Sequence, residues 1–152
     1  SDLQLNSCSF LTPITISVVL GASAPNLSKV RDLCKKSRWP AQVFVGTNAM
    51  AQLMTNCDLA IGAAGSTAWE RCCLGVPSFV FSVANNQKDG ATALHQAGAA
   101  IFLNSAAELS DMLNFYCRSG KIALLLSKLS ACAAQITEGY GVDKIARQLT
   151  NA

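Results

Sequence analysis

Apolar runs alternate with amphipathic segments along most of the chain. Five short runs, rich in β-branched and aromatic residues, predict strands at residues 14–20, 41–45, 59–61, 78–83 and 100–103. Apolar side chains at three- and four-residue spacing predict helices at residues 27–37, 48–56, 66–74, 86–97, 105–116, 121–136 and 142–149. Strands that are apolar throughout and alternate with helices are typical of a parallel sheet covered on both faces. The pattern therefore predicts an α/β fold with a Rossmann-like, doubly wound parallel sheet.

Local signals mark two of the predicted helix boundaries. Ser105 and Glu108 form a capping box, in which each side chain accepts a hydrogen bond from a backbone N–H group at the helix start. Gly75 and Pro77 mark the end of the helix predicted at residues 66–74, because glycine suits the position after a helix and proline cannot continue one. Residues 1–13 carry no such pattern and are interpreted as a linker or an N-terminal extension.

The composition fits one domain with a sizeable apolar core. The 152 residues are 51% hydrophobic and 14% charged, and the net charge is +3. No apolar run reaches the roughly 20 residues that a membrane span needs, and no signal peptide is recognisable at the N-terminus. The basic residues between positions 29 and 38 fall mostly on one helix face, which we interpret as solvated. We therefore expect neither a membrane span nor a nucleic-acid partner.

The cysteines and the histidine predict neither a disulfide framework nor a metal site. There are seven cysteines, an odd number, and no two have CxxC spacing. Most lie in apolar segments, where a free thiol behaves as a small hydrophobic group. With His95 as the one histidine and no acids at ligand spacing, zinc has little support. We expect a reducing, cytoplasmic environment and no metal or other cofactor.

Candidate binding residues lie where predicted strands lead into helices. In a doubly wound sheet, ligands bind beyond the carboxyl ends of the strands. Four loops of small or amide residues occupy such positions, at residues 21–24, 46–48, 62–67 and 84–87. No Ser-His-Asp set and no catalytic carboxylate pair can be assembled from the sequence. The pattern therefore indicates a binding surface more clearly than a reaction.

The loop Gly-Ala-Ala-Gly-Ser-Thr at residues 62–67 is the most informative of the four. Gly62 and Gly65 permit a tight turn and a close approach of a ligand, and Ser66 can serve as the N-cap of a helix that Thr67 begins. Unpaired N–H groups at a helix start suit phosphate oxygens, and Glu70, one turn later, can accept hydrogen bonds from a ribose. An ordinary capped helix with an acid favoured by the helix dipole explains the same residues. Both interpretations remain open at this point.

Amide side chains follow the fourth predicted strand. Asn86 and Gln87 suit phosphate or sugar hydroxyls, because an amide both donates and accepts hydrogen bonds. Asn86 can equally be the cap of the next predicted helix. Lys88 adds a positive charge to this loop, although a solvent-facing role explains it as well.

The run DLAIGAAGSTAWERCCLGVPSFVFSVANNQ, with the later AGAAIFL, resembles the C-terminal half of the UDP-sugar hydrolases of pseudaminic-acid synthesis. Those enzymes release UDP from a diacetamido-trideoxy-altrose donor, and they are similar to the GT-B peptidoglycan N-acetylglucosaminyltransferases. The resemblance spans about residues 14–150. It implies that residues 14–152 form the C-terminal nucleotide-sugar-binding domain of a GT-B fold. It also implies that the catalytic histidine belongs to an N-terminal Rossmann domain, or to a partner chain, outside this sequence.

The resemblance further implies roles for individual residues in binding UDP or a UDP-sugar. The diphosphate would lie on Gly65, Ser66 and Thr67, and the ribose hydroxyls on Glu70. The uracil would contact Gly46, Thr47 and Met50, and the amides of Asn86 and Gln87 would reach toward the donor.

One further glycine belongs to this set of candidate site residues. The family carries a Gly-Gly pair after its first C-terminal strand, whereas this chain has Gly21 followed by Ala22. Ala22 restricts the backbone of that turn and so weakens the case for a phosphate contact there.

The implied function is UDP-sugar binding in a nucleotide-sugar hydrolase, where water displaces UDP from the sugar C1. This chain alone is not expected to turn over a substrate. A glycosyltransferase with the same donor half is the first alternative, since a sugar hydroxyl then replaces the water. The others are a donor-binding subunit that pairs with a separate chain, and a domain that has kept the fold but lost its ligand.

Overall fold

The computed structural model describes residues 14–150, which fall into two compact units, 14–53 and 54–150. The strands are β1 (Ile16–Leu20), β2 (Ala41–Val45), β3 (Ala60–Ala63), β4 (Ser78–Phe81) and β5 (Ala100–Leu103). The helices are α1 (Leu27–Lys35), α2 (Met50–Thr55), α3 (Ser66–Cys73), α4 (Lys88–Gln96), α5 (Ala106–Arg118), α6 (Ile122–Ala133) and α7 (Gly141–Thr150). The strand pairings are parallel, and helices alternate with the strands, so the predicted α/β class is confirmed.

The first unit is built on a parallel pair of strands. β1 and β2 pair from Ile16 opposite Ala41 to Leu20 opposite Val45. Helix α1 connects them and contacts β2, as a crossover between neighbouring parallel strands requires. The apolar face of α1 is half-buried at Leu27 and Val30.

The second unit contains the three-stranded parallel sheet β3-β4-β5. Phe79 and Val80 on the central strand β4 are fully buried, as expected for a strand covered on both faces. The core cluster around Val80 consists mainly of alanines from α3, α4, β5 and α6, joined by Cys72 and Leu94. Small side chains allow the helices to lie close to the sheet.

Three predicted boundaries differ from the structure for a local reason. β4 ends at Phe81, because the Ser82 hydroxyl donates to the Ala84 carbonyl oxygen at 2.8 Å and bends the chain. The helix predicted from residue 86 begins as a 3-10 turn, Asn85–Gln87, before α4 starts at Lys88. β3 extends to Ala63, since its pairing with β4 continues to Phe81.

The capping box at the start of α5 is confirmed. The Glu108 N–H donates to the Ser105 hydroxyl oxygen at 3.2 Å. The Glu108 carboxylate accepts a hydrogen bond from the Asn104 N–H at 2.8 Å, one residue earlier than in the standard arrangement. Every residue of α7 is exposed, including the apolar side chains of Val142, Ile145 and Leu149.

Within residues 14–150, the helices are too short or too polar to cross a membrane. In the same range, no cluster of histidine, cysteine or acidic side chains could hold a metal ion. The cysteines that the structure describes form no disulfide.

Candidate functional site

The turn between β3 and α3 leads to a helix start without a capping side chain. The Ala64 N–H donates to the Phe81 carbonyl oxygen at 2.9 Å, which continues the β3–β4 pairing beyond the end of the strand. Gly65 then takes the N-cap position, with φ −86° and ψ −160°, and its carbonyl oxygen accepts from the Ala68 N–H at 2.9 Å. Within residues 14–150, no side chain caps the start of α3. The first N–H groups of the helix are therefore not occupied by a capping side chain from this part of the protein.

The prediction that Ser66 is the N-cap is wrong. Ser66 is the first residue of α3, and its side chain is exposed. The extended backbone of Gly65 begins the helix one residue earlier, and glycine is among the residues that are common at an N-cap. The consequence is that the Ser66 hydroxyl does not occupy the N–H groups that a phosphate would use.

Gln87 lies beside this helix start with a fixed orientation. Its Oε1 accepts a hydrogen bond from the Val83 N–H at 3.1 Å, which identifies the oxygen end of the amide. Its Nε2 lies 3.6 Å from the point that a Cβ atom on Gly65 would occupy. The structure thus brings together two of the predicted loops, those at residues 62–67 and 84–87. The amide N–H groups of Gln87 face the same space as the start of α3.

Glu70 and Asn86 are both exposed at this end of the second unit. Glu70 is the fifth residue of α3, about one turn after the uncapped start. Asn86 lies in the 3-10 turn and does not act as a helix cap, because the N-cap residue of α4 is Gln87 and no side chain caps that helix. The capping role that the sequence allowed for Asn86 is therefore absent from the structure.

The first unit contains the other predicted site residues. Gly46 follows β2 with a positive φ of 58°, and its N–H donates to the Leu20 carbonyl oxygen at 2.9 Å. The Thr47 hydroxyl accepts from the Ala49 N–H at 3.1 Å and so helps to start α2, whose first residue is the half-buried Met50. Thr47 thus has a structural role whether or not a base binds there.

The turn after β1 is closed by a hydrogen bond from the Ala24 N–H to the Gly21 carbonyl oxygen, at 3.1 Å. Apart from its chain neighbours, no atom of the described residues lies within 4 Å of a Cβ placed on Gly21. The side chain of Ala22 instead approaches Gly46, 3.2 Å from the position of a Cβ there. No non-glycine residue between 14 and 150 has a positive φ, so Ala22 fits this turn without backbone strain.

Arg71 is a buried residue to which the sequence analysis gave no role. It is only 6% exposed, and its Nη2 donates to the Ala63 carbonyl oxygen at 2.9 Å. Its Nη1 lies 2.9 Å from the position that a Cβ on Gly62 would take, so a larger residue at position 62 would require the guanidinium to shift. Burial lowers the pKa of Arg71. The proximity of Gly62 and Arg71 becomes visible only when β3 and α3 are placed side by side.

The thiols near Arg71 do not supply a nucleophile. Burial raises the pKa of Cys57, with a further contribution from the negative charge of Asp58, and burial likewise raises the pKa of Cys72. A reactive cysteine needs a lowered pKa, because the thiolate is the attacking species. Both thiols are therefore protonated near neutral pH and belong to the packing of the unit.

No protein-family model matches the sequence. Over 98 residues, or 64% of this chain, the sequence is 33% identical to the spore coat polysaccharide biosynthesis protein SpsG of Bacillus subtilis (strain 168). The matched part covers 29% of that relative, so the chain corresponds to a limited portion of it.

The fold is similar to one half of several solved glycosyltransferases. MurG from Acinetobacter baumannii matches 93% of this chain with a TM-score of 0.69 and 16% identity, and 53% of MurG is covered. WaaG, a glycosyltransferase of lipopolysaccharide biosynthesis, matches 98% of the chain with a TM-score of 0.64 and 15% identity, and 50% of WaaG is covered. The spinosyn rhamnosyltransferase SpnG, complexed with thymidine diphosphate, matches 92% of the chain with a TM-score of 0.53 and 18% identity, and 46% of SpnG is covered.

These similarities establish a Rossmann-like α/β fold of the kind found in one half of a GT-B glycosyltransferase. The chain spans about half the length of the solved structures that it matches. The Rossmann-like fold that the hydrophobic pattern predicted, and the GT-B half that the resemblance implied, are confirmed.

Proposed function

We propose that this chain is the donor-binding half of a GT-B-type glycosyltransferase of polysaccharide biosynthesis and that it binds a UDP-sugar. The observation that carries the proposal is the uncapped start of α3 beside the oriented amide of Gln87. Backbone N–H groups and an amide N–H₂ are donors, and the helix dipole favours negative charge at the same place. These are the features that a diphosphate requires.

The roles of the candidate residues follow from that arrangement. The N–H groups around Gly65, Ser66 and Thr67 hold the diphosphate and stabilise the charge that develops on it as the sugar leaves. Glu70 accepts hydrogen bonds from the ribose hydroxyls, and the amides of Asn86 and Gln87 reach the donor. For the first unit, we assign Gly46, Thr47 and Met50 to the uracil, and Gly21 remains a candidate phosphate contact.

Two comparisons support a nucleotide-sugar ligand. SpnG, which shares the fold, has been solved with thymidine diphosphate, and SpsG is named as a polysaccharide biosynthesis protein. A second domain or a partner chain then supplies the acceptor side, because the chain spans about half of each similar glycosyltransferase. A cytoplasmic location also stays a prediction.

A hydrolase of pseudaminic-acid synthesis is the second candidate. It is favoured by the run GAAGSTAWERCCLGVP, which contains the helix start described above. The two candidates differ in what attacks the sugar C1. In an assay that includes the acceptor-side domain, release of UDP in water alone indicates a hydrolase, whereas release that requires an added sugar acceptor indicates a transferase.

Calorimetric titration of the chain with UDP, dTDP, GDP and ADP tests the proposal. We expect micromolar to millimolar binding with a preference for UDP. A preference for GDP or ADP would contradict the uridine assignment. If no nucleoside diphosphate binds at millimolar concentration, the proposed function is wrong.

A further inference from the structure

The carbonyl group of Ala63 points away from the sheet of the second unit. In a parallel pair, the N–H and C=O groups of successive residues point alternately to opposite sides of the strand. The N–H groups of Ala60 and Ala64 both donate to β4, to the carbonyl oxygens of Pro77 and Phe81 at 2.9 Å. Ala63 lies an odd number of residues from Ala60 and Ala64, so its carbonyl group points to the opposite side of β3, away from β4. β3 is the end strand of this sheet. Its carbonyl oxygen finds a donor in Arg71 Nη2.

This hydrogen bond joins the two elements on either side of the β3–α3 turn. Ala63 is the last residue of β3, and Arg71 lies in the second half of α3, eight positions later. This hydrogen bond closes the segment between them, which includes the turn residues Ala64 and Gly65, into a loop. The bond therefore fixes the distance between the strand end and the helix, and with it the direction of the turn.

Burying a guanidinium group is energetically unfavourable compared with burying an apolar side chain. Arginine is rarely buried unless it is paired, and Arg71 Nε is buried with no hydrogen-bond partner among the described residues. An apolar side chain of similar volume avoids that cost. The contact that only the guanidinium makes is the hydrogen bond to Ala63, and the lack of a side chain at Gly62 makes room for it.

We propose that Arg71 is a positioning residue for the diphosphate site: it clamps the end of β3 to α3 and so holds the turn that presents the N–H groups of Ser66 and Thr67. The inference rests on the proposed function for the identity of the ligand. The conformational part of it stands independently, because the clamp acts on the turn whether or not a ligand is present.

Three substitutions in the 152-residue chain distinguish the proposed hydrogen-bonding role of Arg71 from a role in packing alone. Arg71→Met keeps most of the volume but removes the donor, and Arg71→Lys restores a single charged donor. Gly62→Ala keeps the arginine but places a methyl group 2.9 Å from Nη1, so the guanidinium must move. Arg147→Met is the matched control, because it removes the same charge from an exposed position of α7.

Amide hydrogen exchange, measured by NMR without ligand, reports on the turn. The Ala68 N–H, bonded to the Gly65 carbonyl oxygen, is the local probe, and the Val80 N–H in β4 is the reference for the sheet. We expect Arg71→Met and Gly62→Ala to accelerate exchange at the Ala68 N–H about tenfold, because one charge-assisted hydrogen bond is lost. Exchange at the Val80 N–H should be unchanged. Arg71→Lys should recover part of the protection, and Arg147→Met should change neither amide.

Titration with UDP is the functional readout for the same variants. We expect about tenfold weaker binding for Arg71→Met and Gly62→Ala, partial recovery in Arg71→Lys and no change in Arg147→Met. Unchanged exchange at Ala68 together with unchanged UDP affinity in folded Arg71→Met would overturn the inference. If Arg71→Met does not fold, the same comparison is decided by Gly62→Ala and Arg71→Lys. If the unmodified chain binds no UDP, the proposed function fails, and the exchange rates still decide the role of Arg71.

Discussion

Replacing Gln87 by glutamate tests whether an anion binds at the start of α3, because it alters only one end of a side chain. The glutamate keeps an oxygen acceptor for the Val83 N–H, which now bonds to Oε1 at 3.1 Å. The other end, an N–H₂ group that faces Gly65, becomes a second carboxylate oxygen. The fold should therefore be preserved, whereas a bound phosphate meets a negative charge in place of a donor.

The size of the effect follows from the position of Nε2. It lies 3.6 Å from a Cβ placed on Gly65, and a phosphate oxygen would bind within about 3 Å of the adjacent N–H groups. The phosphate and the new carboxylate are then about 5 Å apart, where two unit charges repel by about 1 kcal/mol in water and about 3 kcal/mol at an effective dielectric constant of 20. Gln87 is half-buried, so the penalty should fall between these limits. The expected loss of UDP affinity is about 5- to 150-fold.

Calorimetry with UDP and with uridine makes the test specific. Gln87→Glu should weaken UDP binding and leave uridine binding unchanged, because uridine carries no phosphate. The penalty should shrink in about 1 M salt, where the screening length falls to about 3 Å. Gln135→Glu, at an exposed position of the same unit, is the charge control. Equal losses for UDP and uridine, or unaltered UDP affinity, would refute the placement of the diphosphate.

Two further substitutions test the neighbouring contacts. Glu70→Ala should weaken UDP binding by about 1–3 kcal/mol and change the free energy of unfolding by no more than about 1 kcal/mol. It should also abolish any preference for UDP over its 2′-deoxy analogue. A thermal melt and titrations with both ligands check this, and unfolding with retained affinity would contradict the ribose role. Gly65→Ala should stay folded, because the new methyl group meets only Gln87 Nε2 at 3.6 Å and an N-cap alanine costs about 1 kcal/mol. Its methyl group should nevertheless obstruct the helix start and lower UDP affinity at least about tenfold, and binding equal to that of the unmodified chain would show that the ligand does not approach Gly65.

The alternation of strands and helices was readable because the apolar runs have clear ends. β2 and β5 have the predicted boundaries, since Pro40 and Gly46 flank one and Gly98 precedes the other. β4 was predicted two residues too long, because apolar Val83 looks like strand in the sequence. In the structure its N–H bonds to Gln87 Oε1 rather than continuing the sheet. Side-chain contacts of this kind are invisible to hydrophobic periodicity.

The candidate site was only partly readable for a similar reason. The loops at residues 62–67 and 84–87 were selected by composition, and β3–β4 pairing places them side by side. The N-cap was assigned to Ser66 because serine is the preferred residue, and sequence does not show that Gly65 already has the required backbone. Arg71 was missed because a charged residue in a short helix is usually exposed to solvent. Its approach to Gly62 depends on how α3 packs against β3, which the sequence does not show.

Neutral donors make this site depend on geometry. The donors identified at the start of α3 are backbone N–H groups and the amide of Gln87, none of which carries a full charge. The Coulomb attraction between two full charges changes little when a group shifts slightly, whereas a hydrogen bond weakens steeply once its angle departs from linearity. The buried Arg71 contacts the backbone that sets those directions, at Ala63. If the proposed site is correct, the charge of Arg71 acts on the backbone that carries the donors and not on the phosphate itself. A shift of that backbone should then weaken the binding of a diphosphate more than it would at a site built from charged side chains.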